Sequence, residues 1–110
     1  MAEQKWYEAV IAAHTAVTDA VSHGKRLKSE RYFVWQEDGG ADFEAGNRHA
    51  ERGMSGVTDL WTRVEFDPWG EALCESFDAS PRIAWRLESV DFEEDTGFWH
   101  WQWSWRIYGG

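Results

Sequence analysis

The C-terminal part of the chain alternates strictly between large apolar residues and smaller polar ones. From Phe98 to Tyr108 every second position is tryptophan or isoleucine, namely Trp99, Trp101, Trp103, Trp105 and Ile107. Because alternate side chains of a β-strand point to opposite faces, this pattern predicts a strand with four indoles on one face. Each indole can bury roughly 150–250 Å². The face must therefore be covered by helices of the same chain, by a second subunit or by a ligand.

The N-terminal segment shows helical spacing instead. A single apolar stripe predicts a helix over residues 4–22, with Gly24 as the residue that stops it. The stripe consists of Trp6, Ala9, Val10, Ala13, Val17, Ala20 and Val21. Four basic residues follow: Lys25, Arg26, Lys28 and Arg31. We favour a solvated run that complements the negative end of the helix dipole over its alternative, a docking patch for an acidic neighbour.

The middle of the chain predicts two strands on either side of a long loop. Tyr32–Trp35 has the β-propensity of a first strand, and alternation predicts a second strand over 56–66. Between them, residues 37–55 are rich in glycine and charge and show little periodicity. Long loops in compact domains are usually functional or disordered, so we expect a flexible loop here.

A second helix and two further strands complete the pattern. Asp67 and Pro68 form a helix start, since an aspartate can cap the free N–H groups and proline fits the first helical position. The buried stripe of this helix is predicted to comprise Trp69, Ala72, Leu73, Ser76 and Phe77. Pro81 is predicted to end this helix. Residues 83–92 are predicted to form a third strand, and a hairpin turn at 95–97 connects it to the tryptophan strand.

The resulting order is α-β-β-α-β-β. It predicts an α+β fold in one domain, 1–110, with a mostly antiparallel four-stranded sheet and both helices on one face. The helix stripes are then the favoured cover for the tryptophans. The opposite face of the last strand, which carries His100, Gln102 and Arg106, is the expected place for contacts with other molecules.

Composition narrows the range of functions. The chain has 110 residues with 11 basic and 20 acidic side chains, a net charge of −9, which argues against binding of nucleic acid or anionic membranes. Cys74 is the single cysteine, so no intrachain disulfide or cysteine-based zinc site can form, and a reducing compartment is favoured. We expect neither a signal peptide nor a membrane span, since no apolar run approaches about 20 residues.

Candidate catalytic chemistry is sparse. The four histidines are scattered without the spacing of metal ligands. A loop site built from Asn47, Arg48, His49 and Glu51 is conceivable, but a loop histidine without a nucleophile or metal partner is more often a bystander. There is no glycine-rich phosphate loop and no nucleophile-elbow motif. We therefore expect no enzyme activity, no cofactor and no metal.

Three segments together resemble a known family. They are residues 32–39 (YFVWQEDG), 56–68 (GVTDLWTRVEFDP) and 85–97 (WRLESVDFEEDTG), the last followed by the aromatic strand. This arrangement is similar to small tail terminators and minor tail components of long-tailed phages and prophages of Gram-positive hosts. The most specific part is the Glu-Glu-Asp-Thr-Gly turn at 93–97.

The resemblance implies a non-enzymatic virion assembly protein. Tail terminators are small α+β proteins that form rings, commonly hexamers, which cap the tail tube and join it to the head connector. The implied partners are further copies of the chain, the tail tube protein and a head-completion protein. The implied location is the host cytoplasm during assembly and then the head–tail junction of the virion.

Separated basic and acidic groups suit a head-to-tail contact, in which one patch meets a different patch on the next subunit. The candidate interface residues are Lys25, Arg26, Lys28, Arg31, Glu37, Asp38, Arg48, Glu93, Glu94, Asp95, His100, Gln102 and Arg106.

The alternative function is a tryptophan-rich binding module, for instance for carbohydrate, whose exposed rings stack on sugars. An acidic mimic of DNA would need carboxylates arrayed along one surface, whereas the acids here are dispersed.

Overall fold

The computed structural model describes residues 5–39 and 53–108 of the chain. These residues form an α+β fold, as predicted, with two helices and a five-stranded sheet. The elements are α1 (Trp6–Thr15), β1 (Val21–His23), β2 (Arg31–Gly39), β3 (Gly53–Thr62), α2 (Pro68–Asp78), β4 (Ile83–Glu93) and β5 (Phe98–Tyr108).

The sheet is mixed rather than four-stranded and antiparallel. Its strand order is β1-β2-β3-β5-β4. The strands β2 to β5 pair antiparallel, whereas β1 lies parallel to β2, with Val21 opposite Phe33 and His23 opposite Trp35. The predicted order α-β-β-α-β-β is therefore wrong in detail, because the short strand β1 follows the first helix.

The predicted helix over 4–22 was too long. It ends at Thr15, and Val21, which belonged to the predicted stripe, lies in β1. The side chain of Thr18 accepts a hydrogen bond from the backbone N–H of Ala20 (3.1 Å), an alternative to helical bonding that threonine offers readily. Gly24 does have a positive φ of 78°, but it follows a strand. The helix-dipole interpretation of the basic run is therefore wrong.

β2 and β3 extend into the predicted loop. Glu37 pairs with Gly56 and Gly39 with Ser55, so the strands include 37–39 and 53–55. The rest of that loop, including Arg48, lies outside the described residues. β3 ends at Thr62 instead of Phe66, because the chain turns there: the backbone N–H of Val64 bonds to the hydroxyl of Thr62 (3.0 Å).

The second helix and the last hairpin match their predictions. Asp67 caps α2 and accepts from the backbone N–H of Trp69 (2.9 Å), and Pro68 is its first residue. Gly97 ends the turn between β4 and β5 with a φ of 78°. Leu73 and Phe77 are fully buried on the sheet side of α2.

Both helices pack on the tryptophan face of the sheet, as predicted. Trp101, Trp103 and Trp105 are at most 8% exposed and join residues of α1 and α2 in the main core. Two glycines make room for them: a Cβ on Gly70 would overlap the ring of Trp101, and one on Gly56 the ring of Trp105. The interpretation of this face mainly as core is confirmed. We call it the Trp face and the opposite side the open face.

Candidate interaction surfaces

A buried polar network joins α1 to the Trp face. His14 is fully buried; its Nδ1–H donates to the carbonyl oxygen of Val10 (2.7 Å), and its Nε2 accepts from the hydroxyl of Thr58 (2.8 Å). The indole N–H of Trp105 donates to the same hydroxyl oxygen (3.0 Å). Burial lowers the pKa of His14 to about 4, so it is neutral at pH 7. Both ring nitrogens are satisfied inside the chain, and the network is structural.

Two of the four basic residues that were candidates for the interface, Arg26 and Arg31, contact other parts of their own chain. The guanidinium of Arg31 donates through Nε and Nη2 to the two carboxylate oxygens of Asp67, and it lies 3.8 Å from the ring centre of Trp69. Burial alone would raise the pKa of Asp67, but hydrogen bonds from Arg31, Thr62 and the backbone N–H of Trp69 outweigh it and hold the pKa below its usual value.

The segment between β1 and β2 places one of its basic residues, Arg26, against the open face. Arg26 lies over the ring of Trp61 (4.0 Å) and donates to the hydroxyl of Tyr32 (3.1 Å). Lys25 and Lys28 are exposed. The basic run is thus split: its arginines contact the chain itself, and its lysines face solvent.

The open face carries a compact polar cluster on β3 and β5. His100 bonds through Nε2 to the carboxylate of Asp59 (2.6 Å), which also accepts from the amide of Gln102 (3.1 Å). The ring of His100 stacks parallel on Trp61 at 3.9 Å. Further along β5, Arg106 donates to the hydroxyl of Tyr108 (3.1 Å). The predicted polar residues of β5 therefore lie on one face, as alternation requires.

The acidic residues that were candidates for the interface lie at opposite ends of the sheet. At one end Glu37 bonds to His23 (2.7 Å), whose hydrogen bond lowers the pKa of Glu37. The neighbouring Asp38 accepts from the hydroxyl of Ser55 (2.7 Å). The other predicted acids lie at the distant hairpin turn: Glu93, Glu94 and Asp95. The structure does not bring the candidate interface residues into one patch, and their contact with another molecule stays a prediction.

The edge strand β4 carries an apolar stripe that was not among the predicted surfaces. Leu87, Val90 and Phe92 are 38–46% exposed, and we call them the β4 stripe. An irregularity in pairing between Leu87 and Ser89 shifts the alternation, so Leu87 opposes Trp103 while Val90 opposes Trp101. All three thus lie on the Trp face. The signal was visible in the sequence, because the apolar positions change from odd to even numbers between 87 and 90.

α2 covers only the first half of β4. The indole N–H of Trp85 donates to the carboxylate of Asp78 at the end of α2 (2.8 Å), and Ile83 is buried. Beyond this point the β4 stripe is partly exposed to solvent, although the ring centre of Phe92 lies 4.9 Å from that of Trp99. The stripe therefore extends the core to the surface at an edge of the sheet that the described strands leave unpaired.

The described residues offer neither a metal site nor a membrane-spanning helix. Among residues 5–39 and 53–108, no group of three or more His, Cys, Asp and Glu side chains is placed to hold a metal ion. No helix in the same ranges has both the length and the apolar character needed to cross a membrane.

Comparison with known proteins adds no family assignment. No protein-family model matches the chain, and no curated protein is significantly similar to it. The likeness to tail terminators therefore depends on the sequence segments alone.

Proposed function

We propose that this chain is a non-enzymatic assembly subunit that forms a ring, caps a phage tail tube and joins it to the head connector. The proposal combines the resemblance of three sequence segments with the surface that the fold presents. Its partners would be further copies of the chain, the tail tube protein and a head-completion protein. Self-assembly of the purified chain tests the first of these partners. It would act in the host cytoplasm and then at the head–tail junction.

The observation that carries the proposal is the β4 stripe. Leu87, Val90 and Phe92 present apolar side chains on β4, which is an edge strand of the sheet formed by residues 5–39 and 53–108. Exposed edges and contiguous apolar patches are features that soluble monomers usually avoid, and they mark surfaces that another protein covers. A neighbouring subunit would bury this stripe.

Charge supports the same function. A net charge of −9 suits a ring whose lumen lets DNA slide rather than adhere, since like charges repel. The described cluster of Asp59, His100 and Gln102 satisfies itself through internal hydrogen bonds. Such a surface offers polar contacts to a partner without a reactive group positioned for chemistry.

The alternative of a tryptophan-rich carbohydrate module has less support. Stacking on a sugar requires an accessible ring face. Trp101, Trp103 and Trp105 are 8%, 0% and 3% exposed, so three of the four indoles of the expected platform lie inside the core, and Trp99 is half-buried. Quencher-resistant, blue-shifted tryptophan emission would agree with this burial.

Electron microscopy of the purified protein, alone and mixed with tail tubes, tests the proposal. We expect rings, either free or at tube ends. Val90→Lys should abolish them, because it places a charge in the stripe. Ala84→Lys lies on the same strand but faces the open side, and should leave them intact. A wild-type chain that stays monomeric at high concentration and ignores tail tubes would contradict the proposal.

A further inference from the structure

Phe66 is a strained aromatic residue that projects into solvent. It is 85% exposed, and its φ of 56° is the only positive value at a non-glycine residue in the described part of the chain. Bulky residues seldom adopt this conformation, because the side chain crowds the backbone. An asparagine or glycine would fit the turn better and would leave no apolar ring in water. Such outliers are often associated with function.

The neighbouring residue holds Phe66 in this position. Asp67 has a fully buried side chain that accepts hydrogen bonds from Arg31, Thr62 and the backbone N–H of Trp69. The backbone just after Phe66 is therefore anchored to β2, β3 and α2. Phe66 is presented from a rigid support, which lowers the entropy lost on docking.

The same chain contains an apolar pocket that is large enough for a benzyl group. We call it the α1–β2 pocket; it has a volume of about 230 Å³ and is lined by Trp6, Tyr7, Ile11, His23, Trp35 and Glu37. A cavity of about 150 Å³ with apolar walls already accommodates benzene in another protein. The size of the pocket thus permits a phenylalanine side chain.

The pocket walls favour an aromatic occupant. The ring of Trp6 stands nearly perpendicular to those of Tyr7 (5.6 Å, 85°) and Trp35 (6.3 Å, 88°), the edge-to-face geometry that aromatic groups prefer. A cation is a poorer fit, because the carboxylate of Glu37 is already bound to His23 (2.7 Å).

Phe66 and the pocket lie at opposite ends of β2. Arg31, at the start of the strand, is bonded to Asp67, whereas Trp35 and Glu37 lie four and six residues further along. At about 3.3 Å per residue the separation is roughly 13–20 Å. Phe66 cannot reach the pocket of its own chain, but two copies related by a rotation can join the two surfaces. Repetition of such a head-to-tail contact closes a ring when the rotation between copies divides a full turn evenly, and otherwise gives an open filament.

We propose that Phe66 of one copy inserts into the α1–β2 pocket of a second copy and forms the head-to-tail contact of the assembly. This inference depends on the proposed ring-forming function and specifies which surfaces meet. It also explains why an exposed, strained phenylalanine stands where a small polar residue would serve the fold better.

Sedimentation velocity of the full-length chain, under conditions where the wild type assembles, tests the contact. Phe66→Asn removes the inserted ring, and Ile11→Glu places a charge in the pocket wall at a position that is 40% exposed. Each should weaken association about 10- to 100-fold, the effect of failing to bury one large apolar side chain. The control Leu27→Asn removes a similarly exposed apolar side chain outside both surfaces and should change association less than about twofold.

Mixing the two defective variants provides the sharpest result. Phe66→Asn retains a functional pocket, and Ile11→Glu retains Phe66, so an equimolar mixture should form a one-to-one dimer that neither variant forms alone. Assembly that persists in both variants, or a mixture that stays monomeric, overturns the contact while the proposed function stands. A wild type that stays monomeric up to millimolar concentration, even beside tail tubes, overturns both.

Discussion

Arg31 and Asp67 form a two-bond ion pair that fastens the start of β2 to the start of α2. The carboxylate of Asp67 is fully buried, whereas the guanidinium of Arg31 is about one-third exposed and covers Trp69. The same carboxylate caps α2 and accepts from Thr62 at the end of β3. One side chain thus joins three elements.

Arg31→Ala should destabilise the protein by about 2–3 kcal/mol in urea unfolding. Removing one partner of a buried pair leaves the other charge uncompensated, which costs roughly 3–5 kcal/mol in a fully buried site, and partial exposure of Arg31 reduces this. The matched control is Arg86→Ala, which breaks an exposed pair with Glu88 and should cost much less stability than Arg31→Ala. Equal losses for the two variants would contradict the structural role of Arg31.

His14 should make stability fall as the pH decreases from about 6.5 to 4. The unfolded chain takes up a proton near pH 6.5, while the folded protein resists it until about pH 4, because protonation would charge a buried ring. Stability is therefore full above pH 6.5 and decreases below it by up to about 1.4 kcal/mol per pH unit, about 3 kcal/mol in total.

Urea unfolding at several pH values measures this slope. His14→Gln removes the titrating group and should flatten the slope between pH 6.5 and 4, although it lowers stability at pH 7. His23→Gln, on an exposed ring, should keep the steep dependence. An unchanged slope in His14→Gln would show that another group is responsible.

The parts of the fold that depend on local sequence patterns could be predicted. Alternation located β5 and its buried tryptophans, and the Asp67–Pro68 pair located the start of α2. Tertiary contacts decided the rest. Val21 fits a helical stripe as well as a strand, and only pairing with Phe33 selects β1.

The candidate surfaces were harder to predict for a related reason. The charge of Arg31 suggested a docking residue, but its partner is 36 positions away and cannot be inferred from spacing. The β4 stripe depends on an irregular strand, which strict alternation overlooks. Phe66 was predicted as the last residue of the second strand. Its positive φ depends on the tertiary contacts that anchor the neighbouring Asp67, and these contacts cannot be inferred from the local sequence.

Trp103→Ala and Phe92→Ala should separate core from assembly surface. Trp103 is fully buried, so its truncation should cost about 3–5 kcal/mol. Phe92 is 46% exposed and should cost about 1 kcal/mol or less in the isolated subunit. Electron microscopy should nevertheless show loss of rings for Phe92→Ala. Intact rings in that variant would remove the β4 stripe from the interface.

Phe66→Asn should stabilise the isolated subunit while it weakens association between subunits. Asparagine tolerates the left-handed conformation, so the substitution should relieve about 1 kcal/mol of strain and remove an exposed ring from water. Urea unfolding of dilute, monomeric protein measures the gain, and Val64→Asn, at a neighbouring exposed apolar position, should change stability by less than about 0.5 kcal/mol. A gain in stability combined with a loss of association indicates a residue retained for binding at the expense of the fold. A destabilised variant would instead place Phe66 among the residues that support the turn, and its strain would then need another explanation.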